Sequence, residues 1–380
     1  MKEPIVLSVN EVVSRIAEFN TIIDARSPSE FAEDHLPGAI SAPVLDDAQR
    51  AEVGTVNAKV GAFEAKRLGA ALVSRNIGDL LQTRFADKPR DWKPLVYCWR
   101  GGNRSGALAT VMARIGWRTC VIDGGYKAYR RKVIEDLQTM APTLNLIVLG
   151  GRTGSAKSRL LETLAARGEQ VLDLERLACH RGSVLGAWPE SAQPAQRRFE
   201  SLVWNELRQF NRERPIFVES ESRKIGQCQV PDPLIHAIRA SNIVIAEADR
   251  TVRSRFLLDE YEHFRADVPG LHGLLDKLVV LHGAKRVDDW KTLIGEDRWL
   301  ELVDSLLIEH YDPSYDRSMK RNFSRLEQAP VVTLHDTDEP SLQQAADALI
   351  ALSRQMNAGF TAPHPSDRSA PDSAPPSTAP

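Results

Sequence analysis

Apolar residues in this chain gather into short runs, separated by stretches in which they recur every three or four positions. Short runs bounded by turn residues suit buried parallel strands, and the longer spacing suits amphipathic helices. Ile5-Val6-Leu7 leads into a helical pattern through Val12, Val13, Ile16 and Phe19. Thr21-Ile22-Ile23 reads as a strand ending in Asp24-Ala25-Arg26-Ser27-Pro28, after which Ser29 or the turn before it caps a brief helix through Glu30 and Phe31. His35-Leu36-Pro37-Gly38-Ala39 is turn chemistry, and a helical, polar middle section follows. Pro94 stops that section, and Leu95-Val96-Tyr97 forms a strand running into Cys98. Leu108, Val111, Met112 and Ile115 mark one face of the next helix, Gly116 ends it, and Cys120-Val121-Ile122 is another strand. The alternation predicts an α/β layer with parallel strands.

A second α/β unit begins after the boundary predicted at Ala141-Pro142-Thr143. Its strand Leu146-Ile147-Val148-Leu149 enters a loop at Gly150, followed by a helix from Ser158 to Arg167 that Gly168 stops. Strands at Val171-Leu172, Ile216-Phe217-Val218, Ile243-Val244-Ile245 and Val331-Val332-Thr333-Leu334 continue the pattern, with helices around Phe199–Phe210 and Trp299–Ile308. Residues 357–380 are rich in Pro, Ala and Ser and lack periodicity. Such a segment buries too little apolar surface to offset its ordering entropy, so it is expected to be disordered. The expected domains are therefore 1–138, 139–356 and this tail.

Composition narrows the class. Across 380 residues, 42% hydrophobic and 26% charged content is ordinary for a folded globular protein of two domains. A net charge of −2 excludes a globally basic nucleic-acid coat, so any nucleic acid would be met by local patches. Cys98, Cys120, Cys179 and Cys228 form no CxxC pair, which disfavours a disulfide framework or a cysteine-rich zinc site; no metal site built on cysteine is expected. Met1–Asn10 lacks a basic start and a sustained apolar core, and no apolar run reaches membrane-spanning length. A reducing, cytoplasmic setting with no membrane partner is the expectation.

Candidate chemistry centres first on Leu95-Val96-Tyr97-Cys98-Trp99-Arg100-Gly101-Gly102-Asn103-Arg104-Ser105: strand, glycine turn, helix start. A helix N-terminus with unpaired N–H groups favours an anion, and a cysteine held there is a candidate nucleophile. A lone cysteine at a strand end reads equally well as packing. The Gly-Gly turn together with Arg100 and Arg104 tips the reading toward chemistry, with the arginines as anion clamps. The segment Asp24–Phe31, followed by His35–Ala39, closely resembles the N-terminal signature of rhodanese domains, whose catalytic cysteine heads a loop closed by arginine. That loop is commonly C-x4-R, whereas Cys98 to Arg104 is C-x5-R, a wider cradle suited to a tetrahedral anion such as selenophosphate.

The second centre is Gly151-Arg152-Thr153-Gly154-Ser155-Ala156-Lys157-Ser158, a near match to G-x-x-x-x-G-K-[ST] between a predicted strand and helix. Gly151, Thr153, Gly154, Ser155, Lys157 and Ser158 are the candidate phosphate ligands, and Ser158 with Glu219 at a Walker-B-like strand end would suit Mg²⁺. Glu219 alternatively reads as a solvated strand end. Ala156 replaces the second glycine, and its methyl is expected to narrow the loop or to demand a negative φ. The whole is an α/β chain: an N-terminal rhodanese-like parallel-sheet domain followed by a P-loop NTPase-like α/β domain.

This order, with Asp173-Leu174-Glu175, His180-Arg181-Gly182-Ser183, Glu219–Gly226 and Tyr311-Asp312-Pro313-Ser314-Tyr315, resembles the tRNA 2-selenouridine synthase family. Arg152 stands where that family commonly has cysteine, and Cys179 lies outside its pattern. The resemblance implies a transferase that replaces sulfur by selenium at C2 of wobble 2-thiouridine in tRNA. Selenophosphate would be the donor, and an S-geranylated intermediate would be made from geranyl diphosphate at the P-loop. Lys127, Arg130, Arg131, Lys132 and Arg223-Lys224 are candidate tRNA phosphate contacts or simply solvated faces, and Tyr126 and Tyr129 are candidate base-stacking rings or core. A sulfurtransferase or phosphatase fused to a small-molecule kinase, or a nucleotide-responsive binding module, are the competing readings. One cleft shared by both centres is the simplest expected geometry, alternation between separate sites the other.

Overall fold

The computed structural model describes residues 3–188 and 191–357; the tail expected to be disordered lies outside the described residues apart from Asn357, which ends the last helix. The first unit carries strands β1 (Ile5–Leu7), β2 (Thr21–Asp24), β3 (Ala39–Ser41), β4 (Pro94–Tyr97) and β5 (Cys120–Ile122), all parallel, in the order β1-β5-β4-β2-β3. Its helices are α1 (Val9–Ser14), α2 (Pro28–Glu33), α3 (Asp47–Lys59), α4 (Ala62–Thr83), α5 (Asn103–Ile115) and α6 (Gly125–Met140). Ser27 caps α2, and Pro28 takes the first helical position, where its missing N–H costs nothing. The polar middle section is a hairpin of α3 and α4 joined through Val60 and Gly61.

The second unit is built on β6 (Leu146–Gly150), β7 (Gln170–Leu172), β8 (Ile216–Glu219), β11 (Asn242–Ala248) and β12 (Val331–Leu334), parallel in the order β12-β11-β6-β8-β7. A small antiparallel pair, β9 (Lys224–Ile225) and β10 (Cys228–Gln229), interrupts the series. The chain winds away from β6 in one direction and then the other, so the loop after β6 opens at a topological switch point, where ligands of such sheets bind. Helices α7 (Lys157–Ala166), α8 (Leu174–Ala178), α9 (Gln196–Gln209), α10 (Asp232–Ala240) and α11 (Arg250–Glu260) flank the sheet. A helical lobe follows: α12 (His263–Ala266), α13 (Val268–Asp276), α14 (Val279–His282), α15 (Ala284–Gly295) and α16 (Trp299–Leu306), then a π-helical turn at Leu307–Tyr311, α17 (Asp312–Asn322) and finally α18 (Glu339–Asn357). Among the described residues, no helix is long and apolar enough to cross a membrane.

Each sheet buries its outer face in a core of its own: Ile23, Val96 and Val121 with Leu108 and Met112 in the first, Leu149, Phe217 and Val244 with Leu160 and Leu349 in the second. The inner faces share one continuous core running from Leu95 and Ile122 through Tyr129 and Val133 of α6 to Phe199, Val203 and Trp204 of α9 and on to Val148 and Val218. Tyr129 meets Trp204 edge-on at 5.5 Å between centroids. Tyr126 and Tyr129 are therefore core residues, with 2% and 1% of their surface exposed, and the base-stacking alternative is corrected. Arg130 pairs with Glu200 and Lys132 with Asp136, so of that basic cluster Lys127 and Arg131 are the exposed members.

Candidate functional sites

Cys98 sits one residue beyond β4 at the buried root of its loop. Ser105 in the first turn of α5 donates its hydroxyl to the Cys98 sulfur at 3.1 Å. The loop is pinned from behind by α6: the N–H of Tyr126 donates to the Cys98 carbonyl at 2.8 Å and that of Lys127 to the Trp99 carbonyl at 3.0 Å. This contact requires glycine, because a Cβ on Gly125 would collide with the Cys98 carbonyl, and one on Gly101 would lie 2.6 Å from the Ile122 carbonyl.

The two arginines differ in situation. Arg100 is exposed on the edge of the cavity that Cys98 also lines. Arg104 lines it too, but its guanidinium holds Glu30 of α2 through hydrogen bonds of 2.6 and 3.3 Å. Burial pushes the Glu30 carboxyl up, and the hydrogen bond and charge of Arg104 outweigh that and hold it below the usual range. Asp24 and Arg26 of the signature segment form a buried ion pair at 2.6 Å, with the Arg26 guanidinium 3.9 Å from the Tyr126 ring centroid. They fasten the strand end to α6 and to the Asp34 carbonyl at the end of α2. The cavity holds about 1220 Å³ and is lined by residues between Leu45 and Ala107.

The phosphate loop follows β6, as expected, and α7 starts at Lys157. Ala156 adopts φ 51° and ψ 29°, left-handed backbone, which corrects the expected negative φ. The loop keeps its glycine geometry and carries the strain of one methyl-bearing residue. Arg253, 3% exposed, donates to the Thr153 carbonyl at 3.0 Å and grips Asp312 at 2.8 and 2.9 Å. The Gly151 N–H donates to the Tyr315 hydroxyl. Arg152 pairs with Asp316 at 2.8 Å, and Ser155 donates to the Arg152 carbonyl at 2.6 Å.

Ser158 donates to Glu219 at 2.9 Å, and Glu219, Glu175 and Glu221 bring carboxylate oxygens within 4.8 Å of one another. Glu219 is 6% exposed, so the solvated-strand-end alternative is corrected. Burial pushes Glu219 up to about 7 against the pull of Lys157, and Glu221 adds repulsion. Burial, then the repulsion of Glu219 and Glu221, raises Glu175 well above the ordinary carboxylate range, and burial raises Glu221. At Lys157 burial alone would favour the neutral amine, but Glu219, Tyr315, Glu175 and Glu221 outweigh it and shift the ammonium upward. Three crowded carboxylates and a hydroxyl are hard oxygen donors, of the kind that can hold a divalent cation.

Lys157, Ser158, Glu175 and Glu219 line a cavity of about 240 Å³. Thr153, Leu257 and Tyr261 belong both to it and to an adjoining apolar pocket whose other walls include Leu185, Phe264, Trp299 and Leu306. The Cys98 cavity shares no lining residue with these two pockets, so the two centres lie in separate cavities and not in the single cleft expected as simplest. Glu175, Glu221, Arg253, Asp312 and Tyr315 were not among the residues predicted for the site. Most fall in the stretches Asp173–Glu175, Glu219–Gly226 and Tyr311–Tyr315, but only folding shows them converging on one loop; Arg253 carried no local signal.

The fold and its two sites define a rhodanese-like domain joined to a phosphate-loop domain. Residues 8–132 match the rhodanese-like domain, and residues 144–269 match the tRNA 2-selenouridine synthase AAA domain. The chain is similar to the tRNA 2-selenouridine synthase of Nitrosomonas europaea, 33% identical over 83% of this chain and 93% of that one. Similar proteins of the same name occur in Aeromonas salmonicida, 35% identical over 77% and 86%, and in a Sulfurovum species, 31% identical over 80% and 90%. The chain belongs to the tRNA 2-selenouridine synthase family.

Proposed function

We propose that this chain replaces sulfur by selenium at C2 of wobble 2-thiouridine in tRNA, using selenophosphate, by way of an S-geranylated intermediate made from geranyl diphosphate. The observation that carries the reading is the junction of the phosphate loop with an apolar pocket through Thr153, Leu257 and Tyr261. The polar and apolar walls match the chemistry of a diphosphate with an apolar chain; the apolar pocket holds about 60 Å³ in this structure, so a ten-carbon chain enters it only as its walls part. The names of the relatives support tRNA as the acceptor.

In the first step the thiocarbonyl sulfur attacks the first carbon of the geranyl group. The carbon–oxygen bond breaks, diphosphate leaves with the electron pair, and the base gives up its N3 proton. Lys157 and the loop N–H groups hold the diphosphate charge. Ser158, Glu175, Glu219 and Glu221 would hold Mg²⁺, which supplies charge neutralisation at the leaving group. In the second step selenium of selenophosphate attacks C2 at the Cys98 loop, and the C2–S bond breaks. The geranyl thiolate leaves and takes up a proton; water then cleaves the phosphorus–selenium bond, releasing phosphate and returning a proton to N3. S-alkylation turns a poor leaving group into a thiolate, which is why prenyl transfer comes first. Cys98 handles the selenium, with Arg100 beside it and Arg104 fixing the loop through Glu30.

The test supplies purified protein with 2-thiouridine tRNA, geranyl diphosphate, selenophosphate and Mg²⁺, followed by mass analysis of nucleosides. Geranylated and selenated uridine are expected; absence of both, under conditions where an established synthase makes them, overturns the proposal. Cys98→Ser is expected to block selenation and spare geranylation, and Lys157→Ala to lose prenyl transfer first.

A further inference from the structure

We propose that the large cavity beside Cys98 is a second prenyl site, which receives the apolar chain of the RNA-borne thioether while selenium displaces it. This rests on the reading of the two-step reaction given above, and it assigns a task to a part of the fold that reading leaves unused. A thiolate and a tetrahedral anion fill little of about 1220 Å³, a volume above the roughly 300–1,000 Å³ of an ordinary small-molecule pocket.

The walls are unusual for a cavity meant for anions alone. Helix α3 buries none of its 13 residues and lends Ala51, Val53 and Gly54 to the cavity wall. Ala51 and Gly54 of α3 face it together with Ala65 and Gly69 of α4, and Leu45 and Val73 lie deeper. Small residues on facing helices leave a trench whose surface is apolar but whose volume is empty. Around it stand Arg50, Lys66, Arg100 and Arg104, cations suited to RNA phosphates. Arg50 and Arg104 are tied to Glu30, whereas Lys66 and Arg100 have no ion pair among the described residues. An apolar trench ringed by cations beside a thiol fits one ligand chemistry: a polyanion that carries an apolar arm near its reacting atom.

The separation of the two sites gives this arm its origin. The chain enters as a diphosphate at the Thr153 loop, but after transfer it travels on the base to Cys98. There it needs an apolar surface until the thiol departs. The Leu185–Leu306 pocket adjoins the phosphate loop and shares no lining residue with the Cys98 cavity.

The test uses anticodon stem-loop RNAs bearing either S-geranyl- or S-methyl-2-thiouridine, which enter at the second step and bypass the phosphate loop. Gly54→Leu and Gly106→Leu are the variants, since a Cβ at either position meets nothing within 4 Å and both glycines line the cavity. With full-length protein and selenophosphate, each variant is expected to lower kcat/KM on the S-geranyl RNA at least tenfold and to change it less than twofold on the S-methyl RNA. Binding of the same RNAs, read by fluorescence anisotropy without selenophosphate, is expected to show tighter binding of the S-geranyl RNA, with that preference lost in both variants. Equal slowing of both RNAs, or an anisotropy preference that survives the variants, overturns the inference. Failure of wild-type protein to convert either RNA, with the binding preference present and variant-sensitive, overturns the two-step reading and leaves the prenyl site standing.

Discussion

The Ser201 hydroxyl of α9 donates a 2.9 Å hydrogen bond to the Asp34 carboxylate at the end of α2, joining the two domains through a fully buried pair. Tyr126 donates to the same carboxylate oxygen at 2.8 Å. Burial pushes the Asp34 carboxyl up, and its two hydroxyl partners pull it back only in part. Around this contact the inner faces of both sheets merge into one core, which couples the two domains.

The chain is therefore expected to unfold in urea as a single transition, with fluorescence and far-ultraviolet circular dichroism coinciding. Ser201→Ala should lower stability by about 0.5–2 kcal/mol, and Asp34→Ala by roughly 2–5 kcal/mol, because it strands two buried hydroxyls. Two separated transitions in the wild-type protein would contradict the shared core.

Glu30 gives a pH signature. Its carboxyl lies below the usual range in the folded chain, so it contributes stability that is fully present above its unfolded value and is lost as pH falls through the folded one. Glu30→Gln should cost roughly 1.5–3 kcal/mol at pH 7, and the gap from wild type should close on acidification below about pH 4.3. Denaturation curves taken across that range decide the matter; a gap that is constant with pH would refute the role of the Arg104 pair.

Left-handed backbone at Ala156 should make Ala156→Gly neutral to stabilising. Relief of about 1–2 kcal/mol of conformational strain is opposed by about 0.4–1 kcal/mol of added unfolded-state entropy. Thermal melts that show a lowered Tm would argue against this geometry.

Arg253→Gln should cost roughly 2–4 kcal/mol, because it leaves Asp312 a half-buried, unpaired carboxylate and frees the Thr153 carbonyl. Binding of inorganic diphosphate, followed by calorimetry, should weaken in the same variant if Arg253 shapes the loop. Unchanged affinity would confine Arg253 to stability.

Strong local signals made much of this legible. The run Leu95–Tyr97 into Cys98 and the run Leu146–Leu149 into the phosphate loop each place an apolar strand, a glycine turn and a helix start in consecutive residues. Turn and cap chemistry acts over a few positions, so it can be read there. Tyr126 and Tyr129 could not be settled in that way, since a tyrosine beside lysines looks alike on a surface and in a core until α9 is packed over it.

The sequence by itself determined the two parallel sheets, the cysteine loop with Arg104 and the phosphate loop with Lys157, because each is dictated by backbone propensity and spacing within one segment. Only the tertiary structure decided that Arg104 answers to Glu30, that Glu175 and Glu221 crowd Glu219, and that the two sites lie in separate cavities. Those relations join residues far apart in the chain, and burial and charge fix them only once the helices have closed over the sheets.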